Sequence, residues 1–500
     1  MQNPTLPQSP ADLFFRRRFS FNPCNTLRLP LGEMSLARDW LHTDGRGDPY
    51  PELVRDGDVR EEISGGCYRA AGKGCVARLI GRFFPYATYE LTVDSLDEDC
   101  AVGFSFRTQD KEVRLLLTRC GESFALRREG DAAELLASDI PAEPGLRLQV
   151  TWQVRIAFIT LIGRERRQLS PLHIPAFADM DCEDIFSAAT AALLAAPCGG
   201  SLSVREVTFC LDGGVCHADP RPIRYEDGTP LMENGRLFIT WSTRSGSGGF
   251  QSVVSWTPGL CDFRMEGAIF FDYGDGRWHN DVATSLIYDR RQKKWLLWAC
   301  AFHGGHYLMH AEFDGDPRFG LQLIDAERMP TQSGIPGDGR LSDDTLWLGK
   351  AGDEDPDLLY DQAEGRWYMS ICRVSRVEGH DTYRYFIFSS EEPFASYRFE
   401  AMVEDVGVTG GSLLFFGGKK HLVYGRRFDA RAEYACVCLE DPAHPRRLSC
   451  DYDDGGFRGW GTVIPVPCGK RTRWVWLTFD RDLGCKEDNW SYGNLYVYDA

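Results

Sequence analysis

Three short stretches of the chain carry carboxylates where a strand would begin. Asp219 stands in Ala218-Asp219-Pro220-Arg221, Asp281 in Trp278-His279-Asn280-Asp281-Val282, and Glu354 with Asp355 in Glu354-Asp355-Pro356-Asp357-Leu358. Carboxyl groups gathered without compensating cations hold their protons unequally, so one is pushed toward the neutral form while another stays charged. Acid/base attack on an acetal needs that division of roles, and glycoside hydrolysis is the reaction that uses it. Taken singly, an Asp ahead of a turn or strand more often caps backbone N–H groups. The recurrence of acids at one phase of a repeat is what makes this set a candidate. Glu354 and Asp355 are adjacent and point to opposite faces of a strand, so only one of them should lead the chemistry.

The elements that would position these groups form an internal repeat of strand, turn and aromatic strand. The first copy runs from Ala218 through Ile223-Arg224-Tyr225 to Arg236-Leu237-Phe238-Ile239-Thr240-Trp241. Later copies lead to Lys294-Trp295-Leu296-Leu297-Trp298, Arg366-Trp367-Tyr368-Met369, His421-Leu422-Val423-Tyr424 and Arg473-Trp474-Val475-Trp476. Copies begin near 219, 281, 355, 410 and 461, with spacings of 62, 74, 55 and 51. A small sheet cannot bury both faces alone, so five such units imply radial stacking into a five-bladed β-propeller, with the aromatic second strands filling the space between blades. The first strand of each blade lies innermost, and acids at its start converge on the mouth of the central channel. Copies four and five begin with Gly410-Gly411 and Gly461 and bring no charge.

Ahead of the repeat, runs such as Tyr89-Glu90-Leu91-Thr92-Val93 and Ala101 to Phe106 alternate in and out between Gly, Asp and Pro, which predicts antiparallel strands. The fold class is therefore all-β. Residues 1–24 are expected as a Pro-rich arm against the body, 25–212 as a β-sandwich domain and 213–500 as the propeller. Asp181 to Ala196 has helical spacing and predicts one short helix.

Composition narrows the partners. Against 56 Lys and Arg stand 73 Asp and Glu, a net charge of −17, so the average surface field repels phosphate backbones and anionic lipid. The expected partner is a small carbohydrate rather than nucleic acid or membrane. The 17 cysteines include no CxxC pair and fit reduced thiols better than a zinc site or a disulfide framework. No apolar run reaches about 18 residues, and residues 1–23 lack the pattern of a cleaved leader, so a cytoplasmic location is expected. No cofactor or metal is implied.

On these motifs, residues 217 to 500 resemble the five-bladed propeller glycoside hydrolases, the superfamily of family 43 arabinofuranosidases and xylosidases and family 32 fructosidases. Ala218-Asp219-Pro220 is similar to their first-blade motif, whose aspartate is base or nucleophile. Trp278-His279-Asn280-Asp281-Val282 is similar to the second-blade Trp-Ala-Pro-Asp-Val of the arabinofuranosidases, and sits where the fructosidases have a stabilising aspartate. Glu354-Asp355-Pro356-Asp357-Leu358 resembles the fructosidases' Glu-Cys-Pro-Asp-Leu, whose glutamate is the acid/base. It equally resembles the arabinofuranosidases' Asp-Pro, whose aspartate tunes the acid. Where the arabinofuranosidases place a Glu-Gly-Pro acid, this chain has Thr409-Gly410-Gly411-Ser412, which leaves Glu404 or another loop residue as substitute and favours the fructosidase-like assignment. Residues 25–212 resemble the concanavalin-like or laminin-G-like sandwiches that accompany such propellers, and packing is the role expected of them. The resemblance implies a glycosidase acting on a small oligosaccharide or a furanoside or pentoside-like glycoside.

Further residues are candidates for substrate binding. Arg221, two after Asp219, shares its strand face and is suited to a sugar hydroxyl or carboxylate, to holding Asp219 ionised, or to a plain ion pair. Trp278 and His279 flank the second-blade motif, and Trp278 and Trp241 have rings able to stack on a sugar, although blade packing is the commoner fate of such a Trp. His303, His306 and His310 follow copy two without the further ligands a metal would need. Two alternatives remain at this level. One is a glycoside phosphorylase with a phosphate pocket drawn from Arg221, Arg373 and Arg426-Arg427. The other is a sugar-binding propeller without catalysis.

Overall fold

The computed structural model describes residues 7–21, 27–30, 52–64, 66–83, 87–108, 111–153, 156–174, 190–212, 217–245, 248–272, 282–301, 307–332, 334–335, 352–378, 380–426, 433–451, 461–479 and 494–500. They divide into two compact units, one of residues 28–212 and one of residues 1–27 with 213–500.

The larger unit is a five-bladed β-propeller. The five repeat copies become five sheets, each led by one inner strand: Ala218–Pro222, Val282–Asp289, Asp353–Asp361, Val408–Phe416 and Thr462–Cys468. These inner strands touch in a closed ring, first with second and onward until fifth meets first. The aromatic second strands fill the space between blades, as their composition predicts. Trp298 of the second blade lies 5.9 Å from Trp367 of the third, and Tyr434 of the fourth packs edge-on at 4.3 Å against Trp476 of the fifth. Trp241, Trp298, Trp367 and Trp476 are all fully buried, and each such side chain contributes on the order of 2–3 kcal/mol of transfer free energy.

The segment expected as an arm supplies a strand. Phe14–Phe21 pairs antiparallel with Leu495–Asp499 and parallel with Ser449–Cys450, so the fifth blade is completed from both ends of the sequence. Phe15 is its buried anchor, 5.6 Å from Trp476.

Residues 28–212 form a single hydrogen-bonded sheet that curls until its two halves face each other. Leu146–Gln153 and Ala101–Arg107 are five strands apart in sheet order, roughly 24 Å if the sheet were flat. Yet Trp152 and Phe106, from those two strands, have ring centroids 4.9 Å apart. The bend runs along Cys67–Arg82, which pairs with Ser201–Asp212 through residues 67–71 and with Thr190–Ala196 through residues 76–82. Gly74 lies at that corner with φ of 130°, where a Cβ would meet the Asp56 carbonyl oxygen at 1.9 Å. The helix expected over Asp181 to Ala196 is corrected in its described part: Thr190–Ala196 is a strand between two others. Its alanines fit the narrow interior of the sheet, and burial outweighs their helix preference.

Candidate active site

Four of the five inner strands begin with the same irregularity. The pairing register breaks between Ala218 and Arg221, Val282 and Ser285, Glu354 and Asp357, and Thr409 and Ser412. Within each break one residue takes left-handed backbone angles: Asp219 at φ 51°, Ala283 at 54°, Asp355 at 52° and Gly410 at 63°. The conformation costs a non-glycine residue about 1–2 kcal/mol, and its repetition marks a bulge built into the blade design.

The bulge gives the true phase of the repeat. Asp219 and Asp355 are equivalent, as the spacing predicts. In the second blade, however, the equivalent residue is Ala283, two positions after Asp281, so the acids of the three motifs do not share one phase. Asp281 itself lies outside the described residues, as do Trp278, His279 and His303. Of the adjacent pair, Asp355 and not Glu354 occupies the position of Asp219.

Both phase aspartates are buried, each 4% exposed. Ser242 Oγ donates to Asp219 Oδ2 at 3.0 Å while accepting from the backbone N–H of Ala283 at 2.9 Å, which ties the first carboxylate to the second blade's bulge. Asp355 Oδ2 accepts from Thr409 Oγ1 and from the backbone N–H of Gly410, both at 2.8 Å. Asp355 makes no ion pair among the described residues. Burial, then the negative charges of Asp219 and Glu354, raise its pKa from 3.8 to about 6, against lowering contributions from the Arg221 charge and the Gly410 N–H. Glu354 is half-buried and accepts from the Tyr383 hydroxyl at 3.1 Å. Burial and that carboxylate in turn raise the Tyr383 pKa and keep the phenol protonated.

The glycines of the fourth copy have their own reason. A Cβ on Gly411 would lie 2.5 Å from the Tyr385 ring, and the Gly411 N–H donates to the Tyr385 hydroxyl. Where an acid would stand, the chain therefore offers backbone donors, one of them to Asp355. Glu404 is exposed between the third and fourth blades.

Other candidates are taken up by structural duties. Arg373 is fully buried against Asp353, with Nε to Oδ1 at 2.7 Å, and Arg426 pairs with Asp405 at 2.6 Å. Trp241 is core, packed against His217 and Phe263. His310 stacks on Phe394 with centroids 4.4 Å apart. His217, two residues before Asp219, is buried between Trp241 and Phe479, and burial lowers its pKa to about 3. Sequence reasoning passed over Ser242, Thr409 and Tyr383, because small polar residues on strands carry no signal until their partners are known.

No family model matches the chain, and no curated protein matches it in sequence. Among solved structures it is similar to a thermostable family-43 glycoside hydrolase, at 14% identity over 57% of this chain and 88% of that one, with a TM-score of 0.37. It is similar also to the catalytic domain of a family 62 α-L-arabinofuranosidase from Coprinopsis cinerea, at 12% identity over 57% and 90% of the chains with a TM-score of 0.39. A carbohydrate-binding module from Bacillus subtilis is similar at 17% identity over 31% of this chain and 94% of that one, with a TM-score of 0.24. At these identities the likeness is one of fold.

Proposed function

We propose that the protein is a glycoside hydrolase whose chemistry is carried by Asp219 and Asp355, acting on a small oligosaccharide or a furanoside or pentoside-like glycoside. The observation behind this reading is the pairing of two buried aspartates on equivalent bulges, one of which keeps its proton up to about pH 6 partly through the charge of the other. Asp355 is then the proton donor to the leaving group, and Asp219 is the group that attacks the anomeric carbon or activates water. Glu354 serves as the charged neighbour that helps Asp355 keep its proton, held in turn by Tyr383. Asp281 is the expected third carboxylate from the second blade.

Asp219→Asn tests the reading. It preserves size and can still accept from Ser242, but it removes the charge that attacks or activates. Turnover of aryl pentosides and arabinofuranosides should fall by roughly a thousandfold or more with folding intact. Full activity in this variant would remove Asp219 from the mechanism.

A further inference from the structure

The first blade holds a charged side chain that no hydrogen bond from the described residues satisfies. Arg221 is 1% exposed, and its Nε and both Nη atoms have no hydrogen-bond partner among the described residues. The other buried guanidiniums of the propeller are engaged. Arg373 meets Asp353 and the Gln332 carbonyl, Arg224 meets Asp357 and the carbonyl of Leu413, and Arg318 meets Glu233 and Asp316.

The contrast is sharpest among the residues two positions past each bulge. There the other blades place Ser285, Asp357 and Ser412, and these groups satisfy one another and their neighbours. Ser285 Oγ donates to Asp357 Oδ1 at 2.9 Å, the Leu413 N–H donates to Asp357 Oδ2 at 2.6 Å, and the hydroxyls of Ser412 and Thr462 lie 2.8 Å apart. Arg221 holds the same position in the first blade and takes no part. Its charge is felt by Asp355 and by Tyr385 without a hydrogen bond to either, and Asp355 still keeps its proton to about pH 6. The guanidinium is thus not consumed in holding that carboxylate ionised.

A buried, unpaired guanidinium is expensive, and its five N–H donors form a rigid fork that matches two oxygens of one anion. A neutral sugar hydroxyl would fill one donor and leave the charge uncompensated. We propose that Arg221 receives an oxyanion of the bound ligand, a carboxylate or a phosphate. The location of this subsite rests on the glycosidase reading above, and the proposal deepens it by giving the ligand a charge. Two sources share the chemistry: a uronic acid unit of the substrate, or free inorganic phosphate entering with a neutral sugar.

The test is binding to the full chain, read by ligand-observed NMR and calorimetry. The probes are glucuronate, galacturonate, inorganic phosphate and the neutral sugars glucose and galactose. At least one oxyanion should bind roughly tenfold to a hundredfold more tightly than the neutral sugars, the range expected for charge-assisted hydrogen bonds. Arg221→Met should abolish that preference, and Arg221→Lys, a charge without the fork, should keep part of it. A preference for uronates alone assigns the anion to the substrate, and one for phosphate alone assigns it to a separate reactant. If the Met variant fails to fold, the preference of the unaltered protein and its weakening in the Lys variant decide. Equal binding of charged and neutral probes, or a preference that survives Arg221→Met, overturns the proposal. Because binding is read without turnover, a protein that binds the oxyanion but cleaves nothing would sink the glycosidase reading and leave this one standing.

Discussion

Replacing Asp355 by Asn should stabilise the protein at neutral pH while it abolishes turnover. Burial and the charges of Asp219 and Glu354 raise this carboxyl from 3.8 to about 6. The folded state therefore binds the proton more tightly than the unfolded chain does. The stability this supplies is present in full below about pH 4 and is lost as the pH rises through about 6. At about 1.4 kcal/mol per pH unit, the ionised side chain at pH 7.5 costs the fold about 3 kcal/mol relative to the neutral one. Asn is neutral at every pH, and its side-chain oxygen can still accept from Thr409 and Gly410. The difference in unfolding free energy between variant and parent should be small at pH 4 and grow to about 3 kcal/mol in favour of Asn by pH 7.5. Urea unfolding followed by tryptophan fluorescence at several pH values measures it. A difference that stays flat with pH, or that favours the parent at pH 7.5, would refute the account of why Asp355 holds its proton. Activity should run the opposite way, lost in the variant and, in the parent, declining as the pH rises through about 6.

Glu354→Gln removes one of the charges that keep the Asp355 proton in place, so the alkaline limb of the pH–rate profile should move to lower pH while the protein stays active; collapse of turnover would make Glu354 the acid instead. Asp357→Ala leaves Arg224 buried without its 2.5 Å partner and should cost about 3–5 kcal/mol, seen as a lowered thermal midpoint. Phe15→Ala should cost about 3–5 kcal/mol and speed hydrogen exchange at residues 495–499 more than elsewhere, since it weakens the strand they pair with.

The five-fold repeat was legible because burial between blades demands aromatic residues on the second strands, and Trp241, Trp298, Trp367 and Trp476 stand on them. The phase within each blade was less so. A left-handed bulge residue is expected to be Gly, Asn or Asp, and Ala283 gives no such sign, so the eye settles on Asp281 two positions earlier. The strand at Phe14–Phe21 was hidden by Arg16-Arg17-Arg18. Its alternation is nonetheless present: Phe15, Arg17, Phe19 and Phe21 are the more buried positions and Phe14, Arg16, Arg18 and Ser20 the exposed ones. Which of Glu354 and Asp355 shares the phase of Asp219 could not be read from adjacency alone, because a bulge turns one of them into that position. That Arg221 has no hydrogen-bond partner among the described residues is invisible in sequence altogether, since it is a property of three-dimensional packing.

The closing of the fifth blade also sets an order of events in synthesis. Residues 14–21 have no strand partner among the described residues until residues 449–450 and then 495–499 follow, some 430 and 480 residues later. Residues 28–212 are complete long before, and can fold as a compact body while that first strand waits with both edges unpaired. Ring closure is thus the most non-local strand pairing among the described residues, and the slowest step of folding should be docking of the early strand. Until then its apolar face, led by Phe15 and Phe19, is open to pairing with other chains. Slow translation of the last blade would lengthen that exposure, which makes the yield of soluble protein depend on how quickly the final hundred residues are made.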